Sequence, residues 1–147
     1  MTKLRVLGLP VVAAMVALAV PLSAFACVFG FALERPDGTA LKVVPGREVT
    51  LSAGSTYTLN VTFTADHRNC REPVDATVYL LGGGRWSPDT KGQPLEIVGL
   101  SGWRQVSSLS WTQSIEFKAL DKGTFEIEIV RECPKGGYDD FLAFEVR

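Results

Sequence analysis

Tyr57-Thr58-Leu59-Asn60-Val61-Thr62-Phe63-Thr64 alternates apolar and polar side chains without a break. A period of two is that of a β-strand with one face buried and the other in water, whereas a helix would place its apolar residues three and four apart. The same pattern recurs on working outward from this stretch. Val74, Ala76, Val78 and Leu80 repeat it, as do Leu109, Trp111, Ile115 and Phe117, with Gln113 interrupting. Phe125, Ile127 and Ile129 face away from Glu126 and Glu128, and Leu142, Phe144 and Val146 close the chain. Turn formers punctuate these runs: Arg35-Pro36-Asp37-Gly38, Pro45-Gly46, Ala53-Gly54-Ser55, Ser87-Pro88-Asp89, Asp121-Lys122-Gly123 and Pro134 to Gly137. The spacing predicts an all-β fold, an antiparallel β-sandwich of seven or eight short strands. Gly82 to Gly102 is the least regular stretch, and a long loop or a short edge hairpin is expected there.

The front of the chain reads differently. Lys3 and Arg5 precede an apolar run from Val6 to Val20, and Ala24-Phe25-Ala26 offers a small-x-small cleavage site. This is the pattern of an export signal over residues 1–26, leaving residues 27–147 as a single domain in the periplasm or the medium. The run is short for a spanning helix, and no other segment could cross a bilayer as one. The chain has 15 Lys+Arg against 16 Asp+Glu; without Lys3 and Arg5, 13 basic residues face 16 acidic ones, a net charge near −3. That balance argues against nucleic acid or an anionic membrane as the main partner.

Asp121-Lys122-Gly123-Thr124-Phe125-Glu126-Ile127 resembles the D-x-G-x-Y-x-C segment that opens strand F of immunoglobulin-like domains, here of the bacterial exported kind. In that family Asp and Gly turn the corner and the aromatic packs beneath it. Phe125 lacks the hydroxyl of the tyrosine corner and Ile127 stands where the family has cysteine, so an Ile127–Leu59 contact would replace the core disulfide. The resemblance implies the architecture and no activity.

It also implies an arrangement for the cysteines. Cys70 would lie in the loop after strand B and Cys133 where strand F enters the last hairpin, at the same end of the sandwich, so a Cys70–Cys133 disulfide is expected. Closing the loop of 62 residues between them is credited with roughly 4 kcal/mol in the chain-entropy model. Cys27 is then left over, either as a lipidation site at the start of the mature chain or as a free thiol. Membrane attachment would follow only from lipidation, and Ala24-Phe25-Ala26 is a poor match to the leucine and small residues that precede a lipidated cysteine.

The same end would gather His67, Arg68, Arg71 and Glu72 from one loop with Arg131, Glu132, Lys135, Tyr138, Asp139 and Asp140 from the other, a recognition surface ordered before its partner arrives. Among the tryptophans, Trp111 is expected in the core. Trp86 and Trp103 flank glycine-rich turns and either cover them or serve as stacking platforms for a sugar or peptide. Gly82-Gly83-Gly84-Arg85 lacks the G-K-[ST] ending of a phosphate loop. Asn60-Val61-Thr62 matches a glycosylation acceptor but falls inside a predicted strand. No G-x-S-x-G occurs and His67 is the single histidine, so no catalytic residue and no cofactor is assigned.

The expectation is a non-enzymatic exported module that binds a protein or a cell-envelope component through disulfide-pinned loops. Two alternatives stand beside it. One is a cysteine-protease inhibitor resembling the chagasin family in its outline from Lys118 to Val146, although Arg131-Glu132-Cys133-Pro134 replaces that family's R-P-W element and its N-P-T-T-G-Y loop is missing. The other is a redox or metal-handling protein using His67, Cys70 and Cys133, whose thiolate and imidazole groups suit zinc or copper.

Overall fold

The structure, a computed structural model, describes residues 27–65, 72–134 and 136–147. The expected leader, residues 66–71 and Lys135 lie outside the described residues. The alternating stretch Tyr57 to Thr64 lies in a ten-residue strand flanked on both sides by others. In chain order the described strands are β1 (Cys27–Glu34), β2 (Ala40–Val43), β3 (Glu48–Leu51), β4 (Thr56–Ala65), β5 (Val78–Leu81), β6 (Gly84–Arg85), β7 (Leu95–Leu100), β8 (Arg104–Ser107), β9 (Ser110–Ala119), β10 (Gly123–Arg131) and β11 (Tyr138–Val146).

They form two sheets. The first runs β2-β1-β4-β9-β7, with β8 also on β9; the second runs β3-β11-β10-β5-β6. All pairings are antiparallel except β3 with β11. With β1, β4, β9 and β7 taken as strands A, B, E and D, and β5, β10 and β11 as C, F and G, this is the immunoglobulin strand order. The expected sandwich is therefore present, with eleven strands among the described residues instead of seven or eight. The surplus comes from elements of two to four residues, such as β2, β3, β6 and β8, too short to show a period of their own.

Burial follows the alternation. Leu59 and Val61 of β4, Ile115 and Phe117 of β9, Ile127 and Ile129 of β10, and Leu142 and Phe144 of β11 are fully buried in one cluster. Leu59 and Ile127 share this core, where the family resemblance would place a disulfide. A satellite cluster of Cys27, Phe63 and Ala65 continues toward one end.

Three expectations need correction. Val74 to Leu80 is not one strand: Val74–Ala76 is a 3-10 turn after Pro73, whose extended backbone and missing N–H interrupt pairing. Thr77 seals the turn by donating its N–H and its hydroxyl to the Val74 carbonyl, at 3.3 and 3.0 Å. The strand starts at Val78 and turns Tyr79 and Leu81 inward, leaving Val78 and Leu80 on the outer face. The stretch Gly82 to Gly102 holds the short edge hairpin expected as one alternative and, beyond it, a strand that was not expected. It contains the tight hairpin β5–β6 around Gly82-Gly83 and a regular strand, β7, with Leu95 and Ile97 buried. Trp111, expected in the core, is half-buried and stacks on Phe63 with 5.6 Å between ring centroids.

Candidate functional site

Arg131, at the end of β10, is 1% exposed. Its Nη1 donates to the carbonyl of Pro73 at 2.8 Å and to that of Val74 at 3.4 Å, and its Nη2 to that of Glu72 at 2.8 Å. The guanidinium carbon lies 4.5 Å from the centroid of the Phe63 ring. A planar, permanently charged fork suits this position, because it satisfies several carbonyls at once and stacks on an aromatic face. The β10–β11 end is thereby tied to the segment that enters β5. Arg131 builds this end of the sandwich from within and does not project toward a partner. Tyr138 is also half-buried, its ring 4.6 Å from that of Phe29, and burial, with Asp140 secondarily, pushes its hydroxyl up to about 12.

Of the other loop residues expected here, Glu72 is half-buried, Glu132 and Asp139 are exposed and Asp140 is half-buried. His67, Arg68, Cys70, Arg71 and Lys135 lie outside the described residues. Cys133 is half-buried and lines a shallow depression of ≈ 370 Å³ with Glu72, Glu132 and Pro134. Cys27 is 1% exposed, pairs in register with Ala65 and packs with Phe63. No disulfide joins two described residues.

Beside the clamped segment opens a cleft that runs between the two sheets. Its inner recess, ≈ 160 Å³, is lined by residues including Tyr79, Arg85, Trp86 and Ser87; its mouth, ≈ 600 Å³, by residues including Pro73, Val74, Ser101 and Gly102. Asp75, Leu100, Trp103 and Gln113 line both. The floor is a polar bridge between sheets. Tyr79 of β5 donates its hydroxyl to Gln113 Oε1 of β9 at 2.9 Å, and Gln113 Nε2 donates to the Ser101 carbonyl at 3.0 Å. Burial raises the Tyr79 hydroxyl well above its ordinary range, so it remains a donor.

The two tryptophans part company here. Trp86 is 2% exposed, donates Nε1 to the Leu95 carbonyl at 2.6 Å and meets Phe117 edge-on, so it is a core residue. Trp103 is half-buried and forms part of the cleft wall, with Leu100 45% exposed beside it. Such a wall can hold a flat apolar face while Asp75 and the backbone of Gly102 meet polar edges. Asp75, Thr77 and Leu100 were missed from sequence because nothing in their spacing links them. Gln113 did leave a signal, as the one polar residue in an inward-facing series.

No family model matches the chain, and no curated protein matches it. Among solved structures, the chain is similar to the solution structure of the Ig-like domain (615-713) from human Obscurin-like protein 1, at 15% identity and a TM-score of 0.38, covering 71% of this chain and 84% of that one.

Proposed function

We propose that the protein is an exported, non-enzymatic binding module that engages a protein or a cell-envelope component through its clamped loop end and the adjoining cleft. The observation that carries this reading is the Arg131 clamp: three backbone carbonyls are held on one side of an open cleft whose other wall is Trp103. A preformed wall lowers the ordering cost that binding would otherwise meet. Export rests on the leader pattern of residues 1–26. A Cys70–Cys133 disulfide is part of the same proposal, supported by the hydrogen bonds from Arg131, two positions before Cys133, to the carbonyls of Glu72 and Pro73, two and three positions after Cys70 in the sequence. Lipidation of Cys27 is the less favoured form, since its side chain packs with Phe63 and Ala65 and would have to leave them.

Two measurements test the reading. Intact mass of the protein from its exporting cell should show cleavage before Cys27 and two thiols that alkylate only after reduction; an intact leader would end the export proposal. Cross-linking capture from the envelope fraction should retain a partner on the native protein and lose it on the Trp103→Ala variant. Equal retention by both proteins would remove the cleft from the function.

A further inference from the structure

The outward positions of the second sheet carry an unusual distribution of groups. Ile127, Ile129, Leu142 and Phe144 point into the core, so their neighbours along β10 and β11 point out. Register sets these side by side: Val78, Val130 and Asp139 form one row; Leu80, Glu128 and Phe141 the next; Glu126, Ala143 and Glu48 the third. Val78, Leu80 and Val130 thus gather on β5 and the adjoining end of β10, with carboxylates beside them: Glu128 and Glu126 farther along β10, Asp139 on β11 and Glu48 on β3. Phe141 is 40% exposed. Ala76, Val78, Leu80 and Val130 line a trough of ≈ 320 Å³ on this face, with Glu72 and Glu132 also lining it. Among the described residues, the cations close by include Arg85, in register with Leu80 at the sheet edge, Arg47, which precedes Glu48 in the chain, and Arg147, tied to Glu145 at 2.7 Å.

We infer that this face docks a basic segment of a partner protein, seating the aliphatic stem of an arginine or lysine in the Val78–Leu80–Val130 trough with its cation against Glu132 and Glu128. Long cationic side chains combine an apolar stem with a charged tip, which is the pairing the trough and its acidic surround complement. A second copy of this chain would bring carboxylates onto carboxylates, and nucleic acid or an anionic bilayer would be repelled. The site lies on the outer face of the second sheet and involves neither Trp103 nor Gln113, so it stands or falls apart from the cleft.

The probe is a short fluorescein-labelled peptide of alternating valine and arginine, with its valine and glutamate counterpart, followed by anisotropy on the full domain. The arginine peptide should bind and the glutamate peptide should not. Glu128→Gln with Glu132→Gln should weaken binding roughly tenfold. The same charge change on the outer face of the first sheet, Glu34→Gln with Glu116→Gln, should alter it by less than about twofold. Val130→Lys, placing a cation in the trough, should abolish it while near-UV circular dichroism stays native. No binding of the arginine peptide, equal weakening by the two glutamine pairs, or binding that survives in a folded Val130→Lys protein would each overturn the inference.

Discussion

Arg131 shows how far one residue's role can differ from its type. An arginine in a charged loop reads as a surface group, yet its guanidinium is enclosed and spent on the carbonyls of Glu72, Pro73 and Val74. No periodicity marks such a residue, because the carbonyls it serves lie more than fifty positions away in the chain. Arg131→Ala takes the guanidinium donor from the Glu72 carbonyl, leaves those of Pro73 and Val74 with only the Ala76 and Thr77 donors, and empties the enclosed space over the Phe63 ring; it is expected to cost about 3 kcal/mol in urea unfolding. Arg131→Lys should recover less than half of that, since an ammonium lacks the planar fork. A loss below about 1 kcal/mol for the alanine variant would show that water replaces the clamp. Gly137 supports the same end. Its φ is +56°, and a Cβ there would meet the Arg131 carbonyl oxygen and, at 3.2 Å, the Cys133 nitrogen, both backbone atoms that cannot swing aside. Gly137→Ala should therefore destabilise by about 2 kcal/mol or more. Gly54→Ala, at φ +80° with nothing within 4 Å, should cost about 1 kcal/mol, from backbone strain alone. Equal losses in thermal unfolding would refute the steric argument.

At the scale of elements, what was legible depended on length and on whether one face is buried. β4, β9, β10 and β11 run nine or ten residues with a continuous inner face, so their alternation could be read directly. β5 could not be phased correctly, because Val78, Tyr79, Leu80 and Leu81 are apolar at every position and either set could face inward. The fold chooses Tyr79 and Leu81, and that choice leaves Val78 and Leu80 for the outer trough. β7 was hidden by the glycines and prolines around it. It is held by pairing with β9 and by Trp86, which donates to the Leu95 carbonyl and packs edge-on against Tyr79 and Phe117. Trp86→Phe keeps an aromatic ring but strands that carbonyl, and about 2 kcal/mol should be lost. Trp86→Ala should lose about 3–5 kcal/mol through the added cavity. An unchanged denaturant slope would show that the loss is in stability and not in the extent of unfolding. If the phenylalanine variant is as stable as the parent, the hydrogen bond contributes nothing and β7 rests on pairing alone.

Across the whole molecule, the candidate surfaces arise from how the sheets are placed and not from any motif. The cleft exists because Tyr79 of one sheet and Gln113 of the other meet at its floor; the acidic face exists because β10 and β11 both turn carboxylates outward. The same packing couples stability to alkaline pH. Burial raises the hydroxyl pKa of Tyr79, and raises that of Tyr138 to about 12, so the folded state holds both protons more tightly than an unfolded chain, in which tyrosine titrates near 10. For a raised folded pKa, the contribution to stability is complete below the unfolded value and is lost as pH climbs through the folded one. The urea midpoint should thus decline between about pH 10 and pH 12 as the unfolded chain ionises first. Lysine deprotonation overlaps this range, so the comparison that decides is with the Tyr79→Phe, Tyr138→Phe double variant. That protein carries all the same lysines but neither shifted hydroxyl, and its decline should be clearly shallower. Parallel declines for the two proteins would mean that the alkaline loss belongs to other groups and that the inter-sheet tyrosine is not held against ionisation by its burial.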